Sequence, residues 1–295
     1  MDPMRMKRTF LTVLAISSLS LLSACFPSLG DIIGGGGGGS PATVSGKWST
    51  AITSSHGSSN NQDLEFNLSQ STGTISAAQS VIVSSFPCEF GTDFIQGTVK
   101  SNTITFTLAF GTGHPTATFT GTVSSDGLTM SGSYKVPSGD CTASDSGSWA
   151  ATKFGDSSGS YSGELTSSVT SRTIEALAVV QEDASNNLLV TVSLTNGGCS
   201  SLNLTGKAIG SFLDLQNSNG TIDVIGQGSN PTFAILSVVG YTIGGTTCGT
   251  ADEGTGTLTK TAANVVIRSN AKAPINPATQ SLVEKIRENL NATRK

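Results

Sequence analysis

Thr103-Ile104-Thr105-Phe106-Thr107-Leu108-Ala109-Phe110 places a threonine at every second position and an apolar side chain between. A period of two buries one face and wets the other, which is the pattern of an antiparallel strand. The pattern recurs. Phe119, Gly121 and Val123 alternate with Thr118, Thr120 and Thr122, and Leu188, Val190, Val192 and Leu194 alternate with Leu189, Thr191 and Ser193. Helical periods are nearly absent between residues 43 and 262. Turn residues separate the runs at Asn60-Asn61, Ser125-Asp126-Gly127, Asn186-Asn187 and from Asn217 to Gly220.

Composition agrees with an all-β reading. Ser, Thr and Gly make up about two-fifths of the 295 residues; they form helices poorly, and Thr suits strands. Sixteen Lys and Arg face twenty Asp and Glu, and charged residues are only 12%. Without a basic excess there is little to drive phosphate binding, so no nucleic-acid partner is expected. One short apolar run excludes a polytopic helical membrane protein.

The alternating region repeats itself. Gly46-Lys47-Trp48-Ser49 opens one half and Gly159-Ser160-Tyr161-Ser162 the other. Tyr134 stands seven residues before Cys141, as Tyr241 stands before Cys248. Gly147-Ser148-Trp149-Ala150-Ala151-Thr152-Lys153 aligns without a gap on Gly254-Thr255-Gly256-Thr257-Leu258-Thr259-Lys260. Each half holds eight strand-like runs with short connections, so each predicts an eight-stranded antiparallel up-and-down β-barrel, closed and free of edges. Small inward residues are expected to suit so narrow a barrel. The organisation read from the chain is therefore 1–24 signal peptide, 25–42 tether, 43–155 first barrel, 156–262 second barrel and 263–295 tail.

Four cysteines lie in the repeated region, and of three possible pairings the repeat selects Cys88–Cys141 and Cys199–Cys248. Each pair falls in odd-numbered loops, hence at one end of its barrel, as a bridge requires. The two histidines, His56 and His114, fall in odd-numbered loops of the first repeat. With Glu89, Asp93 and Asp140 they outline a possible polar binding rim at the disulfide end. The expected contact loops are 54–62, 85–91, 111–115 and 137–145, with counterparts near 196–200 and 244–252. Two histidines on a rim are too few for a metal site, so no metal or cofactor is assigned. No Gly-x-Ser-x-Gly precedes a helix, and Glu182-Asp183 and Asp252-Glu253 point to opposite sheet faces, so no catalytic residue is assigned. Trp48 and Trp149 are expected in the core.

The N-terminal segment supplies an address. Arg5, Lys7 and Arg8 precede the apolar run Phe10–Leu22, which is too short to span a bilayer comfortably. Leu22-Ser23-Ala24-Cys25 then resembles the lipobox of bacterial lipoproteins. That resemblance implies cleavage before Cys25 and acylation of Cys25, with palmitate among the chains, and so attachment to a membrane of the cell envelope. Phe26 in place of Asp implies, by analogy with enterobacterial sorting, the outer membrane. Gly34–Gly39 reads as a flexible tether.

Gly46-Lys47-Trp48 on the first strand of an eight-stranded meander resembles the lipocalin and avidin group of barrels, the calycins. The family carries an Arg late in the barrel that packs over this Trp; Lys153 is the nearest candidate here, and Tyr161 replaces the Trp in the second repeat. The resemblance implies a fold, not a ligand. The expected function is a non-enzymatic binding or interaction module of the envelope. The alternatives are a carrier with a cavity of several hundred cubic ångströms for a small apolar ligand, and a hydrolase of envelope polymers. In the tail, Asn276 and Pro277 precede Leu282, Val283, Ile286 and Leu290 at helical spacing, with Glu284, Lys285, Arg287 and Glu288 off that stripe, so a short amphipathic C-terminal helix is expected.

Overall fold

The computed structural model describes residues 40–57, 62–77, 80–83, 94–109, 116–138, 144–195, 199–249 and 251–261. The expected signal segment, the tether up to residue 39 and the C-terminal helix, with Cys25, Cys88 and Cys141, lie outside these residues.

The first half forms β1 (Gly46–Ser54), β2 (Gln62–Ser71), β3 (Thr74–Ala77), β4 (Ser80–Val83), β5 (Phe94–Lys100), β6 (Thr103–Ala109), β7 (Thr116–Val123), β8 (Thr129–Val136) and β9 (Asp145–Phe154). Successive strands pair antiparallel, except that β4 pairs with β2 and β5 with β3, and β1 pairs with both β2 and β9, which closes the ring. β3 and β4 both pair with β2, with a one-residue slip between their registers. They are two pieces of the third strand expected from sequence, so the ring is eight-stranded.

The second half forms β10 (Gly159–Ser167), β11 (Thr173–Glu182), β12 (Asn187–Thr195), β13 (Ser201–Ile209), β14 (Phe212–Gln216), β15 (Ile222–Gly228), β16 (Ile235–Ile243), a single helical turn α1 (Gly245–Cys248) and β17 (Asp252–Thr261). These eight strands form a closed barrel. Each barrel has a calycin-like architecture, and α1 is the only helix among the described residues.

The seam of each barrel is built alike. Trp48 is fully buried, donates its indole N–H to the Val44 carbonyl at 2.8 Å, and lies under the Lys153 ammonium, 5.7 Å from the ring. Tyr161 donates its hydroxyl to the Ser157 carbonyl at 2.6 Å and lies under Lys260, again at 5.7 Å. Lysine thus fills the place expected of a late arginine, as a cation over an aromatic face. Gly46 has φ +127°, and a Cβ there would stand 2.8 Å from Lys153 Cε. Glycine at this position serves both backbone and lysine.

The two barrels are packed against each other. Leu64, Phe66 and Leu68 of β2 face the first core, so Glu65 and Asn67 point outward, yet Glu65 is only 1% exposed. The β13–β14 turn covers it. Glu65 accepts hydrogen bonds from Ser49 Oγ (2.6 Å), Ser211 N (2.6 Å) and Ser211 Oγ (3.0 Å). Asn67 donates to the Ala208 carbonyl and accepts from Gly210 N. Beside them Val81 packs with Ile209, Phe212, Ile225 and Val239. Val239 reaches this surface because β16 carries a bulge between Val238 and Tyr241 where it meets β17. No register shift interrupts β8 against β9 in the first barrel. Lys47, 3% exposed, pairs with Glu182 and sits 5.0 Å over the Phe233 ring. Glu182 also accepts from Ser157 N and Oγ, each at 2.7 Å.

These buried ionisable groups generate two predictions. Removing one partner of a buried pair strands the other. Lys47→Met should therefore cost about 3 kcal/mol in denaturant unfolding, and adding Glu182→Leu should recover most of it. Burial pushes the Glu65 carboxyl up to about 8, against the pull of its three hydrogen-bond donors. The folded protein then keeps a proton that the unfolded chain releases near the ordinary value of 4.5. Stability should fall as pH rises from there to about 8, then level off. The melting-temperature advantage of Glu65→Gln should grow across that window; a constant difference would mean that Glu65 is charged in the fold.

Candidate functional site

The end of the second barrel that carries Cys199–Cys248 and the equivalent end of the first hold the same polar cluster. In the first, Asp145 opens β9 and its carboxylate accepts from Tyr134 Oη (2.6 Å), Ser54 Oγ (2.8 Å) and its neighbour Ser146 N (2.8 Å). In the second, Asp252 opens β17 and accepts from Ser167 Oγ (2.5 Å), Tyr241 Oη (3.3 Å) and Glu253 N (2.9 Å). Ser54 and Ser167 each accept a backbone N–H from the following turn, from His56 and Thr170. Alternation explains the arrangement. Ser54 ends an inward-facing row and Tyr134 stands one inward place before the end of another, so their hydroxyls meet an inward aspartate at the barrel rim.

One group breaks the symmetry. His56 Nδ1 lies 2.8 Å from Asp145 Oδ1, and the imidazole is 58% exposed. With Asp145 ionised, Nδ1 carries the proton and Nε2 of the neutral ring is left as an acceptor. The ring borders an open groove of about 620 Å³ lined also by Thr116, Thr118, Lys135, Pro137 and Ser144. Burial would raise the Asp145 pKa, but donors from Tyr134, His56, Ser54 and Ser146 outweigh it and hold the carboxyl below its ordinary range. Among the described residues no hydroxyl or thiol bonds to Nε2, and no three His, Cys, Asp or Glu side chains converge as a metal site would need. The arrangement can exchange hydrogen bonds with a polar group in the groove.

Of the sequence-derived rim, the structure places His56 at the end of the first barrel equivalent to the Cys199–Cys248 end of the second; Glu89, Asp93, His114 and Asp140 lie outside the described residues. Cys199 and Cys248 form the expected bridge, with Cα atoms 5.0 Å apart. The equivalent pairing of Cys88 and Cys141 lies outside them too. Asp145, Tyr134 and Ser54 were not singled out as rim residues. The signal was present: each aspartate stands four residues after the cysteine that closes its repeat, as each tyrosine stands seven before it. Glu182 and Asp252, considered above as members of adjacent carboxylate pairs, hold the barrel interface and a rim.

The interiors differ, and the strand registers show how. In the first barrel Phe106 stacks on Phe119 at 4.6 Å, Trp149 meets both edge-on, and Phe66 and Tyr134 complete the cluster. Large inward residues are therefore accommodated, contrary to the expectation of small ones. Small residues opposite make the room: a Cβ on Gly121 would stand 2.7 Å from Trp149. In the second barrel, equivalent pairings put Ala178 at the place of Phe66, Leu215 at Phe106, Val224 at Phe119 and Gly256 at Trp149. What remains is an apolar cavity of about 60 Å³, lined by such side chains as Ala178, Val190, Leu204, Leu215, Val224 and Leu236. The expected carrier cavity of several hundred cubic ångströms, lined by Phe and Leu, is not found among the described residues. Trp48 and Trp149 are both core residues.

No protein-family model and no curated protein matches this sequence. Among solved structures, kievitone hydratase from Nectria haematococca is 11% identical, with 75% of this chain and 90% of that one covered at a TM-score of 0.22. A protein of unknown function of the DUF3598 family from Nostoc punctiforme is 10% identical, with 73% and 96% covered at 0.23. At such TM-scores neither likeness bears on what this chain does.

The rim cluster predicts acid sensitivity. A carboxylate whose pKa is depressed by folding stabilises the native state above its unfolded value, near 4, and that contribution is lost as pH falls through the folded value. Asp145→Asn should lower the melting temperature at pH 7 and flatten its decline below about pH 4. A variant that melts with the wild-type acid profile would dismiss the role.

Proposed function

We propose that this protein is a lipid-anchored component of the bacterial envelope, a non-enzymatic module that binds through the loops and outer faces of two joined barrels. One observation carries the reading. The first interior is filled by stacked aromatic rings and the second keeps only about 60 Å³. Ligand pockets for drug-sized molecules run from roughly 300 to 1,000 Å³, so contact falls to the surfaces. The joined barrels would present the His56 groove at a fixed angle.

The anchor rests on the Leu22-Ser23-Ala24-Cys25 lipobox and the glycine tether behind it. Two or three acyl chains hold a protein stably at a membrane where one does not. The first strand of the first barrel begins, and its last strand ends, opposite the rim that holds Asp145, so a tether entering at β1 would leave that rim directed away from the bilayer. The outer membrane is the proposed address, following Phe26. Its partner is an envelope protein or other polar surface polymer that meets the rim.

A second reading has its own observation, the wholly apolar lining of the small cavity. A cavity without polar groups stays dry and takes apolar guests, so this barrel would hold a molecule no larger than a few heavy atoms. Xenon should bind there and a long-chain fatty acid should not. Fatty-acid binding displaced by Val224→Phe would instead establish a carrier. For the primary reading, Cys25→Ser should abolish palmitate labelling and move the protein from the membrane fraction to the soluble one, with the Cys199–Cys248 bridge intact. Unchanged membrane association would defeat the proposal.

A further inference from the structure

The outer face of the second barrel is unusual at β10–β12. In β11 Ile174, Ala176, Ala178 and Val180 face the core, so Glu175, Leu177, Val179 and Gln181 face out. Leu177 and Val179 are 49% and 41% exposed, and Leu189 of β12, opposite Gln181, is 50% exposed. Three of the six large apolar side chains exposed among the described residues thus adjoin on two paired strands. Beside them Glu175 stands directly across from Glu164 of β10. Like charges facing each other across strands repel, and among the described residues neither carboxylate has an ion pair. The face combines an apolar patch with a pair of uncompensated acids.

The chain itself supplies a segment of matching chemistry. Coiled as its spacing predicts, at about 100° per residue, Leu282, Val283, Ile286 and Leu290 form one stripe. Lys285 flanks that stripe on one side and Arg287 on the other, and Glu284 and Glu288 fall on the opposite face. The apolar side of this segment is therefore edged with positive charge only. Its attachment is close as well. Thr261 at the end of β17 pairs with Ser160, and Ser160 pairs with Val179, so the chain leaves the barrel in the same row as the patch. Two strand spacings, about 10 Å, separate them. Twenty residues, 262–281, precede Leu282, and a flexible chain of that length spans roughly 25 Å.

We propose that the C-terminal segment from Leu282 to Leu290 docks as a helix on the outer face of β10–β12, covering Leu177, Val179 and Leu189 and placing its flanking basic side chains beside Glu164 and Glu175. The docked segment shields an otherwise wet apolar face, and the short link makes the contact intramolecular, with an effective concentration in the millimolar range. It does not depend on the function proposed above.

Hydrogen exchange on the full-length protein tests this. Amides of 282–290 should exchange about tenfold more slowly than in a free peptide of that sequence. Leu177→Lys, at an exposed site, should abolish the protection with little change in melting temperature. Arg287→Glu, at a position that follows the last barrel strand in sequence, should reduce the protection with little change in melting temperature, and adding Glu175→Arg should restore part of it. Free-peptide exchange in the wild type would overturn the proposal. So would protection that survives both Leu177→Lys and Arg287→Glu, protection that rises with protein concentration and so assigns the face to a second copy, or protection that appears only when lipid vesicles are added.

Discussion

Each half of this protein depends on one strand pairing with two neighbours. β1 bonds to β2 on one side and β9 on the other, and β10 does the same between β11 and β17. Closure removes the unpaired edges that an open sheet would present to other chains. It also fixes which face is inside, because side chains alternate along every strand. At this seam a lysine from the last strand lies over an aromatic ring of the first, with a glycine two residues before the ring making space. The same device in both halves, with Trp48 in one and Tyr161 in the other, is the strongest structural sign of their common plan.

From that plan the two halves diverge by exchange of volume. Aromatic rings at four interior places in the first barrel become Ala178, Leu215, Val224 and Gly256 in the second. Val238 partly offsets the loss, because it stands across from Gly256 where Gly132 stands across from Trp149. Aliphatic side chains fill most of the difference, and the remaining cavity is small and apolar. A barrel interior of this kind is a packed core, and the burial of its large apolar side chains is the main stabilising term for each half. The Cys199–Cys248 bridge closes a 49-residue separation and adds about 4 kcal/mol in the chain-entropy model.

The outer faces diverge too. Lys47, Glu65 and Asn67 occupy outward positions that would be solvated in an isolated barrel. In the assembled chain they meet Glu182, Ser211 and the Ala208 carbonyl. Polar and ionisable groups so placed cost desolvation and gain from specific partners, so they favour one docking geometry over sliding alternatives. The bulge that brings Val239 to this surface is confined to the second repeat. Joining the barrels is thus a feature added to the repeat, and it holds the His56 groove at a fixed angle to the second body.

The alternation of Thr with Ile, Phe and Leu, the turn residues between runs, and the matched spacing of Tyr, Cys and Lys in two halves determined the strand order, the closure and the Cys199–Cys248 pairing. They did so because a period of two leaves no freedom about which side is buried. The same logic placed His56 at the end of the first barrel equivalent to the Cys199–Cys248 end of the second. It could not find Asp145 as its partner, since the two are 89 residues apart and meet only because β1 and β9 pair. Nor could it tell that Glu65 and Lys47 are buried. An outward charge on a strand reads as solvated, and only the packing of a second barrel against that face removes the water. The interior volumes were likewise decided in three dimensions, where the fit of rings against glycines across neighbouring strands depends on register, which no single strand records.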